Sequence, residues 1–259
     1  MKSAMLFLVL SPGVAVGFLL VLAILLRWSL VPSPSERKRC EYLLLVTIFS
    51  ALLSSFAQAI ANRLSVLCPL KYDLYLYRMD ALLDEPSFAL GRLVAPHLWL
   101  QLVLQAAYGL LPVAVTSLLG VYIWKREAEW VTVLKTLLLN LLLAPVFYML
   151  LPVCGPVYAF PTFPQAQSLV VPHLIALSAA PNGMPSIHTS TALLLLWFGR
   201  HWLLGRWLGC LYLVLIIAAT LAGGQHYLMD LLAAVPYAAA MGWVGSYSRK
   251  AVVAYAAAV

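Results

Sequence analysis

Apolar runs of about 18 residues or more recur along this chain, and that repetition decides its solvent. As a helix, each run is long enough to cross about 30 Å of hydrocarbon. Of the 259 residues, 64% are apolar and only 10% are charged, whereas a soluble domain is near half apolar and a quarter charged. A soluble fold of this length has too little interior for so much apolar surface. The expected fold is therefore an all-α, polytopic transmembrane bundle, with residues 1–259 forming a single integral membrane domain. The formal charge of +7 is not gathered into any stretch that would track a phosphate backbone, so no nucleic-acid partner is expected.

The pattern predicts about seven spans, near residues 5–26, 41–61, 96–124, 130–152, 186–202, 206–223 and 227–246. The first run exceeds the core of a signal peptide and lacks a small-x-small cleavage site, so it reads as a retained span bent at Pro12-Gly13. Between the second and third spans, Lys71 to Asp80 mixes tyrosines with charges, which predicts a surface helix near 70–85 with Tyr at headgroup level. Residues 153–185 are too rich in proline for one helix, and their apolar middle, Leu169 to Ala180, reads as a short surface or re-entrant helix. Seven spans with the N-terminus outside put 11 Lys and Arg on the cytoplasmic side and 5 outside, in agreement with the positive-inside rule. Cys40, Cys68, Cys154 and Cys210 show no metal-finger spacing and read as packing residues; Cys68 and Cys154, both placed outside, are the one candidate disulfide.

Two polar islands interrupt the apolar runs: Pro181-Asn182-Gly183-Met184-Pro185-Ser186-Ile187-His188 and Gly224-Gln225-His226-Tyr227-Leu228-Met229-Asp230. From His188 the chain descends about 17 residues, turns at Gly205 and climbs back to His226, with legs of roughly 26 Å, so the histidines return to similar depth. Asp230 follows His226 by one helical turn. A carboxylate in an apolar span is costly unless it is paired or faces a polar cavity. Paired with one ring nitrogen of His226, it fixes the tautomer and leaves the other nitrogen free to attack. His188 then supplies a general acid. Ser186 stands at the expected N-cap of the fifth span, where uncapped amides bind anions, and Asn182, in the same polar island, is a further substrate-binding candidate. A single histidine near a membrane interface is ordinarily a structural hydrogen-bonding residue, and His97, His173 and His201 are read so.

The order and separation of Pro185 to His188 and Gly224 to Asp230 resemble the second and third signature motifs of the type 2 phosphatidic acid phosphatase superfamily. Leu151 to Tyr158 is similar to the equivalent segment of the inositol phosphorylceramide synthase branch, and Tyr72 to Asp80 is similar to its bacterial members. The resemblance covers roughly residues 70–245, the expected catalytic core. It implies a phosphohistidine on His226, with Asp230 orienting it and His188 as the acid. It also implies that Ser186, Gly155, Pro156 and Tyr158 lie at the substrate, a lipid phosphate or phosphodiester, and it implies no cofactor. The superfamily's phosphatases carry a basic first motif and an arginine six residues before the nucleophile. Here the first motif has no basic residue and Thr220 takes the second place. A phosphomonoester carries close to two charges and a diester one, so fewer cations favour a diester and phosphotransfer, unless Arg78, Arg92 or Lys71 reaches in.

A different class of function competes: a transporter or metal-binding membrane protein that uses the His/Asp cluster as a relay. Two His and an Asp can hold zinc, although no third strong ligand is near in sequence, and no internal repeat of the transporter kind is visible. The active site is expected on the outer side and the C-terminus in the cytoplasm.

Overall fold

A computed structural model of the chain describes residues 12–165 and 171–256. Apart from one two-residue strand pair, its regular elements are helices. They run α1 (Pro12–Leu30), α2 (Pro34–Leu67), β1 (Leu70–Lys71), α3 (Asp73–Ala81), α4 (Pro86–Val94), α5 (Leu98–Gly109), α6 (Leu111–Lys125), α7 (Trp130–Leu150), α8 (Pro156–Ala159), β2 (Ile175–Ala176), α9 (Ile187–Gly199), α10 (Leu203–Ala222) and α11 (Leu228–Ala256).

The centre of the bundle is packed by α6, α7, α9 and α11. Leu119, Tyr122, Val133, Leu137, Leu194 and Met241 are buried together there. Two of the polar side chains inside it find hydrogen-bond partners there, which offsets the cost of burial in an apolar medium. Tyr122 Oη donates to the Phe198 carbonyl at 3.0 Å, and Asn140 Nδ2 donates to Thr191 Oγ1 at 3.0 Å. On the outside of α10, Leu203, Leu204, Trp207, Leu208, Leu211 and Val214 are exposed. A soluble helix would turn such a stripe inward; here it faces lipid.

The expected count of seven spans is not supported. Among the described residues three helices are long and apolar enough to cross a membrane: α7, α10 and the Leu228–Gly245 part of α11. A fourth results if α5 and α6 are one span bent by 51°. That bend falls where Gly109 and Pro112 flank Leu110, residues that break a helical ladder. α9 is apolar but has only 13 residues, about 20 Å of helix against about 30 Å of hydrocarbon. The predicted first span lies partly outside the described residues. The orientation drawn from the charge tally rested on seven crossings and loses that basis.

Charge is nevertheless segregated along the bundle. Arg39 pairs with Glu127 at 3.3 Å, Arg126 with Glu129 at 3.1 Å, and the Arg27 guanidinium sits over the Trp124 ring at 5.3 Å. Arg200, following the end of α9, belongs to this group, whereas His188 opens the same helix at its other end.

Two further expectations change. The segment 171–180 forms no helix; its strand β2 pairs antiparallel with β1, Leu70 opposite Ala176 and Lys71 opposite Ile175. Pro172, lacking an N–H, stands at the start of this stretch. The surface helix near 70–85 exists as α3, but it is not laid on a surface: Asp73, Leu74, Leu76, Tyr77 and Asp80 are buried. Tyr77, Phe88 and Phe160 pack edge-on or tilted with centroids 4.7 to 5.5 Å apart, aromatic pairs worth about 0.5–1.5 kcal/mol each beyond area burial. All four cysteines are free; Cys154 is buried, with Sγ donating to the Ala179 carbonyl at 3.3 Å.

Candidate active site

Both polar islands become helix starts, and the backbone joins them. Ser186 is the N-cap of α9, its Oγ accepting from Thr189 N at 3.3 Å, the arrangement that a serine after proline favours. Its own N–H donates to the Asp230 carbonyl at 3.1 Å, so the first turns of α9 and α11 are tied together. Within α11, Asp230 Oδ2 accepts from Tyr227 N at 2.9 Å and closes the first turn.

His226 and Asp230 are almost fully enclosed, at 1% and 0% exposure. His226 Nδ1 lies 3.4 Å from Asp230 Oδ2, within ion-pair distance, yet the contact is too long and misaligned for a hydrogen bond. Nδ1 and Asp230 Oδ1 are both buried without a hydrogen-bond partner among the described residues. A catalytic pair that tightens only around substrate has this geometry. His188, the second residue of α9, lies flat on Tyr108 of α5, with centroids 3.9 Å apart and planes 19° apart. The His188 and His226 imidazoles are within electrostatic reach of each other. His188, His226 and Asp230, separated by up to 42 residues, therefore share one site.

The segment after α7 forms the site's other wall. Gly155 has φ +109, and a Cβ there would stand 2.3 Å from the Gln225 carbonyl oxygen. Only glycine permits that approach. Val157 N donates to Gly224 O at 2.9 Å, and Tyr158 Oη donates to Gln225 Oε1 at 3.1 Å. Pro156 opens the single-turn helix α8 and is buried. Gly183 N donates to Val153 O at 2.7 Å, which brings the Asn182 segment alongside. Thr220, where the resembled phosphatases carry arginine, is buried, and its carbonyl receives Gln225 N at 3.0 Å and His226 N at 3.2 Å.

Two buried carboxylates in α3 hold these loops, and the sequence reading missed both. Asp73 accepts from Cys154 N (3.0 and 3.2 Å), Gly155 N (2.8 Å) and Tyr227 Oη (3.2 Å). Asp80 accepts from Leu228 N at 3.1 and 3.2 Å, and Ser87 Oγ bridges Asp80 Oδ2 to the His226 carbonyl at 3.1 and 3.0 Å. Burial pushes both carboxyls up to about 6, against the pull of the amides that donate to them. Their seven-residue spacing, two helical turns on one face, was the available signal.

A cavity of about 390 Å³ is bordered by His188, Asn182 and Tyr108, and a second of about 500 Å³ by Gln225 and, again, Tyr108. Neither is lined by Lys or Arg. Arg78 is exposed and Arg92 binds the Pro164 carbonyl at 3.3 Å, with Glu85 at 3.9 Å. Lys71 is buried with its Nζ on the Cys68 carbonyl. Among the described residues no group of three or more His, Cys, Asp or Glu is arranged to hold a metal ion.

No curated protein and no solved structure matches the chain significantly. A family model described as the PAP2 superfamily matches residues 75–244, about two thirds of the chain, from within α3 to the end of the apolar part of α11. That interval holds both histidines, Asp230, Asp80 and the Gly155 turn, and on this match the chain belongs to the PAP2 superfamily.

Proposed function

We propose that this protein is an integral membrane enzyme that breaks a phosphorus–oxygen bond in a lipid-linked phosphate, with His226 as nucleophile. Membership of the PAP2 superfamily, whose members are generally phosphatases, supports a phosphatase or phosphotransferase acting on phosphorylated lipids. One observation carries the assignment of roles: the enclosed His226 with its Nδ1 3.4 Å from the Asp230 carboxylate.

Asp230 holds the proton on Nδ1 and so directs the Nε2 lone pair at phosphorus. As the Nε2–P bond forms, the bond from phosphorus to the leaving oxygen breaks, and His188 gives that oxygen its proton. The acceptor hydroxyl then attacks the phosphohistidine, its proton passes to His188, and Nε2 leaves. Ser186, Asn182, Gly155, Pro156 and Tyr158 form the surroundings of the phosphate, and residues 70–245 act as the catalytic core. The cavity bordered by His188 and the one bordered by Gln225 carry no Lys or Arg lining, which supports a singly charged diester and transfer to an alcohol, as in the inositol phosphorylceramide synthase branch, over hydrolysis of a doubly charged monoester. Arg78 and Arg92, on the same helices as Asp80 and Ser87, are the guanidinium groups assigned to the phosphate. The segregation of Arg27, Arg39 and Arg126 to the opposite end of the bundle supports an outward-facing site.

The test is a panel of radiolabelled lipid phosphomonoesters and phosphodiesters offered to the purified protein, with and without a polyol acceptor. An acid-labile label retained on the wild-type chain and missing from His226→Ala is the expected result. Full turnover by His226→Ala on every lipid would sink the assignment.

A further inference from the structure

The cavity that ends on His188 has a chemical gradient along it. At one end stand His188, Asn182 and the Tyr148 hydroxyl, and Asn182 Oδ1 and Tyr148 Oη are both buried with no hydrogen-bond partner among the described residues. Leaving such atoms unpaired is costly, so a ligand with polar groups at this point has partners waiting. Away from that end the lining is largely hydrocarbon, with Leu53 and Ala57 of α2, Val115 of α6, and Leu134 and Leu141 of α7, and with Ser50 as a polar exception. An amphiphile fits this gradient and a purely polar molecule does not.

We propose that this cavity binds one hydrocarbon chain of the phosphorylated amphiphile, polar end at His188 and Asn182, and that α2 is the wall that selects the chain. The proposal rests on the reaction assigned above to His226 and His188. The reaction places a phosphorylated amphiphile at the polar end, so its own alkyl or prenyl chain is the hydrocarbon that reaches this lining. Such a chain brings no backbone N–H or C=O groups that the lining would leave unpaired. An apolar void left empty forfeits dispersion contacts along its walls, and at this depth lipid chains are the abundant apolar material.

The assignment to α2 separates this site from the family's shared core. The family match begins at residue 75, whereas α2 ends at Leu67. The residues that meet the chain from that side thus belong to this protein's own N-terminal part. Chain preference is set there, and the reacting groups are set by α9 and α11.

The experiment uses the full chain in nanodiscs and a lipid phosphate carrying a diazirine midway along its alkyl chain. Irradiation is expected to label peptides containing residues 53–60 and 134–141, and excess unlabelled lipid phosphate is expected to abolish that labelling. His226→Ala keeps the labelling while losing turnover, because the chain site does not need the nucleophile. Leu53→Trp, which fills the apolar end, loses it. Ala57→Phe is a second, milder filling variant if Leu53→Trp fails to fold, and the competition arm needs no variant. Labelling confined to the exposed face of α10, labelling that unlabelled lipid does not displace, or α2 cross-linked to a second copy of the chain would each overturn the proposal. None of these outcomes bears on whether His226 turns over, so the chain site and the reaction fail separately.

Discussion

The carboxylate of Asp80 receives the backbone N–H of Leu228 at 3.1 and 3.2 Å across 148 residues of chain. Leu228 is the first residue of α11, whose free amides attract negative charge. Ser87 adds a second tie, from the same carboxylate to the His226 carbonyl. The candidate nucleophile is thus suspended from α3 and α4 as much as from its own helix.

That suspension has a pH signature. Burial raises the Asp80 carboxyl from 3.8 to about 6, so the fold favours its neutral form. The stability this contributes is full below the ordinary value and is lost as pH rises through about 6. Asparagine at this position does not titrate. The melting temperature of wild type should exceed that of Asp80→Asn by more at about pH 4.5 than at about pH 7.5. A gap that widens toward high pH would contradict the burial argument.

Asp230→Asn tests the dyad without changing its size. Asparagine can present its amide to Nδ1 and trap the wrong tautomer, leaving Nε2 protonated. Turnover should fall by about 10²–10⁴-fold with KM little changed. The melting temperature should fall as well, since Asp230 also closes the first turn of α11 through Tyr227 N. An unchanged kcat would remove Asp230 from the chemistry.

Much of this site was legible because its signals are local. The His226-Asp230 spacing is one helical turn, Ser186 after Pro185 is an N-cap signature, and glycine at 155 and 224 marks the positive-φ turns at φ +109 and +63. Asp73 and Asp80 were not legible in the same way. Tyrosines and charges alternating in a short segment look the same whether they meet headgroups or cap a helix 148 residues away, and only the tertiary fold distinguishes the two. The span count failed for a related reason. Apolar composition continues through Gly109-Leu110, where the helix bends, and hydropathy does not register backbone breaks. The polar start before Ile187 leaves α9 only 13 residues long.

Gly155→Ala probes the closest backbone approach in the site. The added Cβ would lie 2.3 Å from Gln225 O and 2.6 Å from its carbonyl carbon, at φ +109. The backbone term alone costs about 1–3 kcal/mol, or several degrees in melting temperature for a chain of this length. Relief requires moving Gln225, the neighbour of His226, so turnover should fall further than stability does. A variant that melts like wild type would mean that the turn tolerates a side chain.

Tyr108 separates holding His188 from merely filling space. Its ring lies 3.9 Å from the imidazole and nearly parallel to it, and it borders both cavities. Aromatic pairs contribute about 0.5–1.5 kcal/mol. If that energy keeps the imidazole aimed at the leaving oxygen, Tyr108→Ala should lower kcat by about two- to twelvefold. Tyr108→Phe keeps the ring and should restore kcat to near the wild-type value. The hydroxyl is thereby tested separately from the stack. A Phe variant as slow as the Ala variant would transfer the role to the hydroxyl. An effect of Tyr108→Ala on KM alone would make the residue a wall of the substrate site and leave His188 positioned by α9.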